Sequence, residues 1–316
     1  MLEGGSEMLE VENLVKRYHQ NIVLDHINFT VEDGEIFGLL GPSGSGKTTA
    51  IQCIMSLLRY DKGNIHIFGV KMHEDALDIK RNIGVVMQDI AIFEELTVYE
   101  NVSYFANLYL RDKSLVDTYT KEVLKKMNLL SCSNYYPKKL SEGILRRLNI
   151  ACGIVHRPKL LILDEPTTEL DPQNRKLLIQ ELKKLNEEGT TILISTHSME
   201  DAEELCKRIA IINEGKIIAQ GTKEELKNMI SLSEKITMEV YELSEMQLQE
   251  IREITNIYSV EYKDNILEIK STRGKNNLLK VMTYLNERNI TIGKIFTQLP
   301  TLNDVFLELT GNEIAK

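Results

Sequence analysis

Between residue 9 and about residue 67, short segments alternate apolar and polar positions: Leu9-Glu10-Val11-Glu12, Ile27-Asn28-Phe29-Thr30-Val31 and Ile65-His66-Ile67. With turns read at Asp33-Gly34 and Lys62-Gly63, this period of two predicts half-buried antiparallel strands. Three runs differ in kind: residues 36–40, 160–163 and 191–195 are nearly continuous in apolar residues, as expected of strands covered on both faces in a parallel sheet. From about residue 96 to 157 the spacing becomes helical, for example Val123, Leu124, Met127 and Leu130, which predicts a helical insertion. After Leu232 the pattern changes again. Residues 236–240 alternate, 266–269 follow a turn at Asp264-Asn265, 277–288 read as a helix and 292–296 as a strand. A last helix is marked by Pro300, by Thr301 as N-cap with Asp304 three residues on, and by an apolar face of Leu302, Phe306 and Leu309 before Gly311. The order suggests a small α+β unit, with a split βαβ arrangement as a candidate.

Each buried strand runs straight into a polar cluster: Gly41-Pro42-Ser43-Gly44-Ser45-Gly46-Lys47-Thr48, Asp164-Glu165-Pro166-Thr167, and Thr196-His197-Ser198. Ligands of open parallel sheets sit beyond the carboxyl ends of the strands, so the three clusters are expected to meet at one site. The first matches G-x-x-x-x-G-K-[ST] between a strand and a helix opening at Thr49. Its glycines turn backbone N–H groups onto phosphate oxygens, Lys47 neutralises the β and γ phosphates, and the Thr48 hydroxyl suits Mg²⁺. Asp164 closes a buried strand, where a carboxylate is costly unless it serves a cation; Mg²⁺ is the natural partner. Glu165, adjacent but out of phase at period two, is free to act on an attacking water.

Composition narrows the class. The 316 residues, 42% hydrophobic and 27% charged, fit an ordinary globular chain of roughly two domains. A net charge of -9 excludes a chain whose main task is wrapping nucleic acid, which needs a dense basic face. Cys53, Cys132, Cys152 and Cys206 lack C-x-x-C spacing and read as buried small hydrophobes in a reducing compartment. No run approaches the ~18–20 apolar residues of a membrane span, and no signal peptide is read at the start. Residues 1–7 are set aside as a tag scar or flexible start. The expected organisation is therefore a domain over residues 8–232, containing a helical subdomain at about 96–157, and an α+β domain over residues 233–316.

On these residues the chain resembles the nucleotide-binding subunit of an ATP-binding cassette transporter, over about residues 8–232. The resemblance implies an α/β fold: a P-loop NTPase core with a mainly parallel sheet and flanking helices, an N-terminal antiparallel β subdomain and the helical insertion, followed by the small C-terminal domain. It implies ATP and Mg²⁺ as ligands. Gln88, in Val85-Val-Met-Gln-Asp, corresponds to the glutamine that joins Mg²⁺ and the membrane partner, with Ile90, Ile92 and Phe93 as apolar contacts nearby or as core residues. The composite-site signature appears as Leu140-Ser141-Glu142-Gly143-Ile144, the aspartate-bearing dimer loop as Glu169-Leu170-Asp171, and the switch histidine as His197. Tyr18 falls where an aromatic stacks on adenine; packing on the sheet is its plain alternative, as core packing or capping is for His197. Arg146 and Arg147 read as a solvated helix face.

The signature departs from the usual pattern, since Glu142 replaces a glycine and Ile144 a glutamine. Ser141 and Gly143 keep the hydroxyl and the close backbone approach that a γ-phosphate needs at a helix N-terminus. A Glu142 carboxylate turned inward would cost ATP affinity; turned to solvent it would leave dimer closure intact. The resemblance further implies that two subunits, expected as a homodimer, sandwich two ATP molecules, with Lys47, Thr48 and Gln88 of one facing Ser141 and Gly143 of the other. It implies a separate multi-span permease and a position at the cytoplasmic face of the membrane, peripheral through that permease. The segment 299–311 resembles the closing segment of ATP-binding subunits of drug, antibiotic, haemolysin and polysaccharide exporters. The competing readings are a soluble cassette ATPase acting on ribosomes or DNA, and a small-molecule kinase, which would not need Ser141, Gly143 and His197.

Overall fold

A computed structural model of the chain describes residues 7–229, 234–272, 274–298 and 301–311. The expected start segment up to residue 6, the expected boundary at residue 232 and Pro300 lie outside the described residues. The chain divides into two compact units, one over the residues up to Lys223 and the other from Glu224 onward.

In the first unit, the alternating segments form β1 (Glu7–Tyr18), β2 (Asn21–Glu32), β4 (Lys62–Ile67) and β5 (Val70–Lys71), paired antiparallel in the order β2-β1-β4-β5. Asp33-Gly34 is a turn as read, but Lys62-Gly63 is not. Those residues open β4 at a register shift against β1, where the sheet bends and the glycine lies close under the Glu12 and Asn13 carbonyls. The buried runs form β3 (Ile36–Leu40), β7 (Leu160–Asp164) and β8 (Thr191–Thr196). β6 (Ile83–Val86), β9 (Arg208–Asn213) and the antiparallel edge strand β10 (Lys216–Thr222) complete a sheet of order β10-β9-β3-β8-β7-β6. The helix α1 (Lys47–Ile54) buries Ala50, Ile51, Cys53 and Ile54 in a core shared by β3, β7 and the inner face of the antiparallel sheet. α2 (Leu77–Lys80) precedes β6.

The insertion is helical. α3 (Val98–Tyr109) starts with a Thr97–Glu100 capping box, α4 (Lys113–Lys126) with Asp112 accepting from Ser114 N, and α5 (Glu142–Ile154) follows Ser141. Val123, Leu124 and Met127 are buried as read, whereas Leu130 is exposed because the chain leaves the helix at Asn128, which has a left-handed backbone (φ 52°). α6 (Pro172–Glu187) and α7 (Met199–Leu205) return the chain to β8 and β9.

The second unit begins within α8 (Lys223–Met229) and runs β11 (Glu234–Val240), α9 (Glu245–Arg252), β12 (Ile257–Lys263), β13 (Ile266–Ser271), α10 (Asn277–Glu287), β14 (Ile292–Gln298) and α11 (Leu302–Thr310). Its antiparallel sheet has the order β12-β13-β11-β14, the split βαβ arrangement. Ile236, Met238 and Val240 alternate inward against Leu248, Ile251, Val281 and Leu285. The capping box Thr301–Asp304 and the Gly311 C-cap of α11 form as read, but its buried face is Leu302, Val305 and Phe306, with Leu309 exposed in the last turn.

Candidate nucleotide site

The sheet order β3-β8-β7-β6 explains why residues distant in sequence converge. Leu40 pairs with Thr196, Asp164 with Ser195, and Val86 with Leu163, so Gly41, His197, Glu165 and Gln88 leave four adjacent strands at the same edge. The loop after β3 is fixed by Gly41 N donating to Thr196 O (3.1 Å) and Gly215 N to Ser45 O (3.0 Å). Gly46 ends it at φ 108°, and a Cβ there would come within 3.0 Å of Val23 O and 2.8 Å of the Leu24 side chain, so only glycine delivers the chain into α1. No side chain caps α1 and its first turn carries no acid, which leaves its N–H groups and positive dipole end for an anion.

Lys47, 5% exposed, donates to Gly41 O (2.8 Å) and Pro42 O (3.0 Å) and stands 3.1 Å from Glu165 Oε1. The other Glu165 oxygen meets His197 Nδ1 at 2.7 Å and accepts from Thr168 Oγ1 at 3.1 Å. Three residues read as phosphate ligand, water-activating base and switch thus form one connected chain, buried at Lys47 and Glu165 and half-buried at His197. Burial pushes the Glu165 carboxyl up, but the Lys47 ammonium and the His197 imidazole outweigh it and hold the group below its usual value. Glu165 lies just past β7 with a left-handed backbone (φ 49°), and its N–H donates to Ser195 O and Ser195 Oγ, both at 3.1 Å. Its divergence from Asp164 therefore rests on this strained turn as well as on strand alternation.

Asp164, 1% exposed, accepts from Ser195 Oγ at 2.5 Å through one oxygen, while its Oδ2 is buried with no hydrogen-bond partner among the described residues. A buried, uncompensated carboxylate oxygen at the edge of a phosphate loop fits a hard cation. Among the described residues no group of three or more His, Cys, Asp or Glu side chains could hold a metal alone. Any Mg²⁺ here would therefore share Asp164 with the half-buried Thr48 hydroxyl and with oxygens of the bound phosphate.

The remaining expected residues lie on other elements. Gln88 is exposed just past β6, Phe93 is exposed, and Ile90 and Ile92 are half-buried. Tyr18, 45% exposed at the end of β1, has Lys16 Nζ 5.1 Å from its ring centroid. Ser141 is exposed at the start of α5, and Glu142 beside it is exposed as well. Asp171 caps α6, accepting from Gln173 N, Asn174 N and Asn174 Nδ2; these bonds, the side-chain one first, draw its carboxyl below the usual value. Asn174 in turn packs on Gly143, so the signature helix and the Asp171 loop are neighbours.

The expectation that Arg146 and Arg147 form a solvated face fails. Both are buried: Arg146 donates to Gln88 O, and Arg147 to Gly143 O and Met127 O, with Glu181 3.9 Å away. Helical spacing cannot show this, because the Gln88 and Met127 carbonyls and the Glu181 carboxylate come from outside α5. Sequence reasoning also missed Ser195, which ties Asp164 to Glu165, and buried Asp201, which accepts from Thr167 Oγ1 and from Arg175 Nε. A polar residue in an otherwise apolar buried run was the only available signal for Ser195.

The model of the family described as ABC transporter matches residues 24–168, and that of the ATP-binding protein DrrA1-3-like C-terminal domain matches residues 221–310. The chain is 35% identical to the linearmycin resistance ATP-binding protein LnrL of Bacillus subtilis (strain 168), over 97% of this chain and 99% of that one. It is 34% identical to the Nod factor export ATP-binding protein I of Sinorhizobium fredii, over 97% of this chain and 87% of that one. A solved dimer of an ATP-binding cassette in a post-hydrolysis state, bound to ADP and Pi, is similar with a TM-score of 0.63 and 30% identity, over 68% of this chain and 98% of that one.

Proposed function

We propose that this chain, which belongs to the ABC transporter family of ATP-binding proteins, is the ATP-hydrolysing subunit of an exporter whose membrane-spanning part is a separate multi-span permease. The chain is an ABC ATPase that binds ATP, and among the described residues no helix is long and apolar enough to cross a membrane. The observation that carries the reading is the chain of contacts Lys47–Glu165–His197 at the end of the phosphate loop, together with the buried, unpartnered oxygen of Asp164.

The chemistry follows from these groups. The loop 41–46, Lys47, Thr48 and Thr49 receive the phosphates, and Tyr18 offers its exposed ring to the adenine. A γ-phosphate competes with Glu165 for Lys47 and His197; once displaced, the carboxylate orients the attacking water. His197 then holds the γ-phosphate. Thr48, Asp164 and Gln88 would hold Mg²⁺, which supplies neutralisation of phosphate charge when bound. Ser141 and Gly143 of a second copy, with its Asp171 loop, complete the other side, so that ATP joins two subunits and hydrolysis releases them. Glu142 is exposed beside Ser141, so its carboxylate is free to turn to solvent as two subunits close. Export rather than import is supported by the resistance and export names of relatives alike over nearly the whole chain, second unit included. The exposed and half-buried apolar residues after Gln88 are where the permease would dock at the cytoplasmic face of the membrane.

Affinity purification of the full chain from membranes tests the reading. A co-purified multi-span permease and ATP-dependent turnover are expected, whereas recovery of ribosomes in place of a permease would overturn it.

A further inference from the structure

Residues 87–97 connect β6 to α3 without helix or strand of their own, and the insertion's helices hold their backbone through three buried polar side chains. From α5, Arg146 Nη1 donates to Gln88 O (2.5 Å), and Asn149 donates to Asp89 O (3.5 Å) and accepts from Ala91 N (3.2 Å). From α3, fully buried Asn101 accepts from Phe93 N (2.8 Å) and donates to Phe93 O, Leu96 O and Thr97 O (2.9, 3.0 and 3.0 Å). Arg146 and Asn149 stand three residues apart, hence on one face of the helix. The same helix begins at Glu142, directly after Ser141, and Arg146 lies about one turn from Gly143.

Arg146 is an unusual choice for so dry a place, being 3% exposed with its Nε unpartnered among the described residues. Burial pulls its guanidinium below the ordinary value, and the carboxylates of Glu142, Glu169 and Asp89 push it back. Those carboxylates come from the signature helix, the loop before Asp171 and the Gln88 loop. The guanidinium thus sits where three segments of the composite site approach one another, and it donates to the Gln88 carbonyl.

We propose that Arg146 is a positioning residue that links the Gln88 loop to the Ser141–Gly143 end of α5, so that a shift at one is carried to the other. The inference rests on the reading of Gln88 and Ser141 as opposite faces of an ATP sandwich. A helix is stiff over one turn, and a backbone carbonyl held by a charged donor cannot slide without losing that bond.

The test uses the full chain with Arg146→Met, Arg146→Lys and Asn149→Ala. Arg146→Met is expected to lower kcat at least tenfold and, combined with Glu165→Gln, to weaken the ATP-driven dimer in light scattering at least tenfold. The dissociation constant of ATP for the single subunit should stay within about twofold. Arg146→Lys, which keeps one donor, should restore part of kcat. Unchanged kcat and dimerisation in Arg146→Met, or a loss of ATP affinity and Tm that accounts for the whole defect, would overturn the proposal. If that variant does not fold, hydrogen exchange of the unaltered chain decides: segments 88–97 and 141–149 should slow together when ATP and Mg²⁺ are added, and slowing of one alone overturns it. Failure of the unaltered chain to bind ATP would instead overturn the nucleotide reading, and this inference with it.

Discussion

Lys47 Nζ lies 3.1 Å from Glu165 Oε1, with both side chains almost fully buried, so the cation of the phosphate loop and the carboxylate past β7 neutralise each other. Removing one member of a buried pair strands the other charge, typically at ~3–5 kcal/mol. Lys47→Met should therefore lower unfolding free energy by about 3 kcal/mol in urea titrations, and Lys47→Met with Glu165→Gln should recover much of that loss. Additive losses in the double variant would refute the coupling.

Glu165→Gln keeps the shape of the site and removes the carboxylate that orients water. ATP turnover should fall by about 10²–10⁴-fold, the range for loss of a general base, while ATP binding persists and a dimer accumulates in light scattering. Turnover at the unaltered rate would remove Glu165 from the mechanism.

The same carboxyl predicts a pH dependence. Lys47 and His197 hold it below its usual 4.5 against the opposing effect of burial, so the folded chain binds its proton less readily than the unfolded one. The stability it contributes is full above about pH 4.5 and lost as pH falls through the folded value. Denaturation midpoints should accordingly drop more steeply on acidification for the unaltered chain than for Glu165→Gln. Parallel curves would show that the pair carries no such linkage.

A Cβ at position 143 would lie 2.3 Å from Asn174 Cγ. Gly143→Ala should lower stability by about 1–3 kcal/mol, the usual cost of overpacking, and Asn174→Ala in the same chain should restore most of it. No rescue in the double variant would mean that the two segments do not press on each other.

Ser195→Ala takes the hydrogen bond from Asp164 Oδ1, leaving that buried oxygen unpaired, and one of two acceptors from Glu165 N, which keeps Ser195 O. A loss of about 1–3 kcal/mol is expected, together with a changed Mg²⁺ requirement for turnover as Asp164 loses its anchor. An unchanged magnesium titration would confine Ser195 to folding.

Much of this was legible in the chain because it depends on local rules. Continuous apolar runs marked β3, β7 and β8, period-two alternation marked β1, β2 and β11, and Thr301–Asp304 announced a capping box that the structure forms. β12 and α9 escaped, since Tyr258-Ser259 interrupts the apolar alternation of a half-exposed edge strand, where its pairing with β13 shifts register, and α9 spans only Glu245–Arg252.

The sequence by itself determined which chemistry was available: a phosphate loop ending in Lys47 and Thr48, two carboxylates at a strand end, and a histidine at the next, because each is set by residue type and short-range spacing. Only the tertiary structure decided the partners. That Glu165 bridges Lys47 and His197, that Ser195 anchors Asp164, and that Arg146 is buried on the Gln88 carbonyl follow from the order β3-β8-β7-β6 and the packing of α5. Hydrogen bonds and ion pairs are made at about 3 Å between strands and helices far apart in the chain, and periodicity fixes which way a side chain faces, not what it meets.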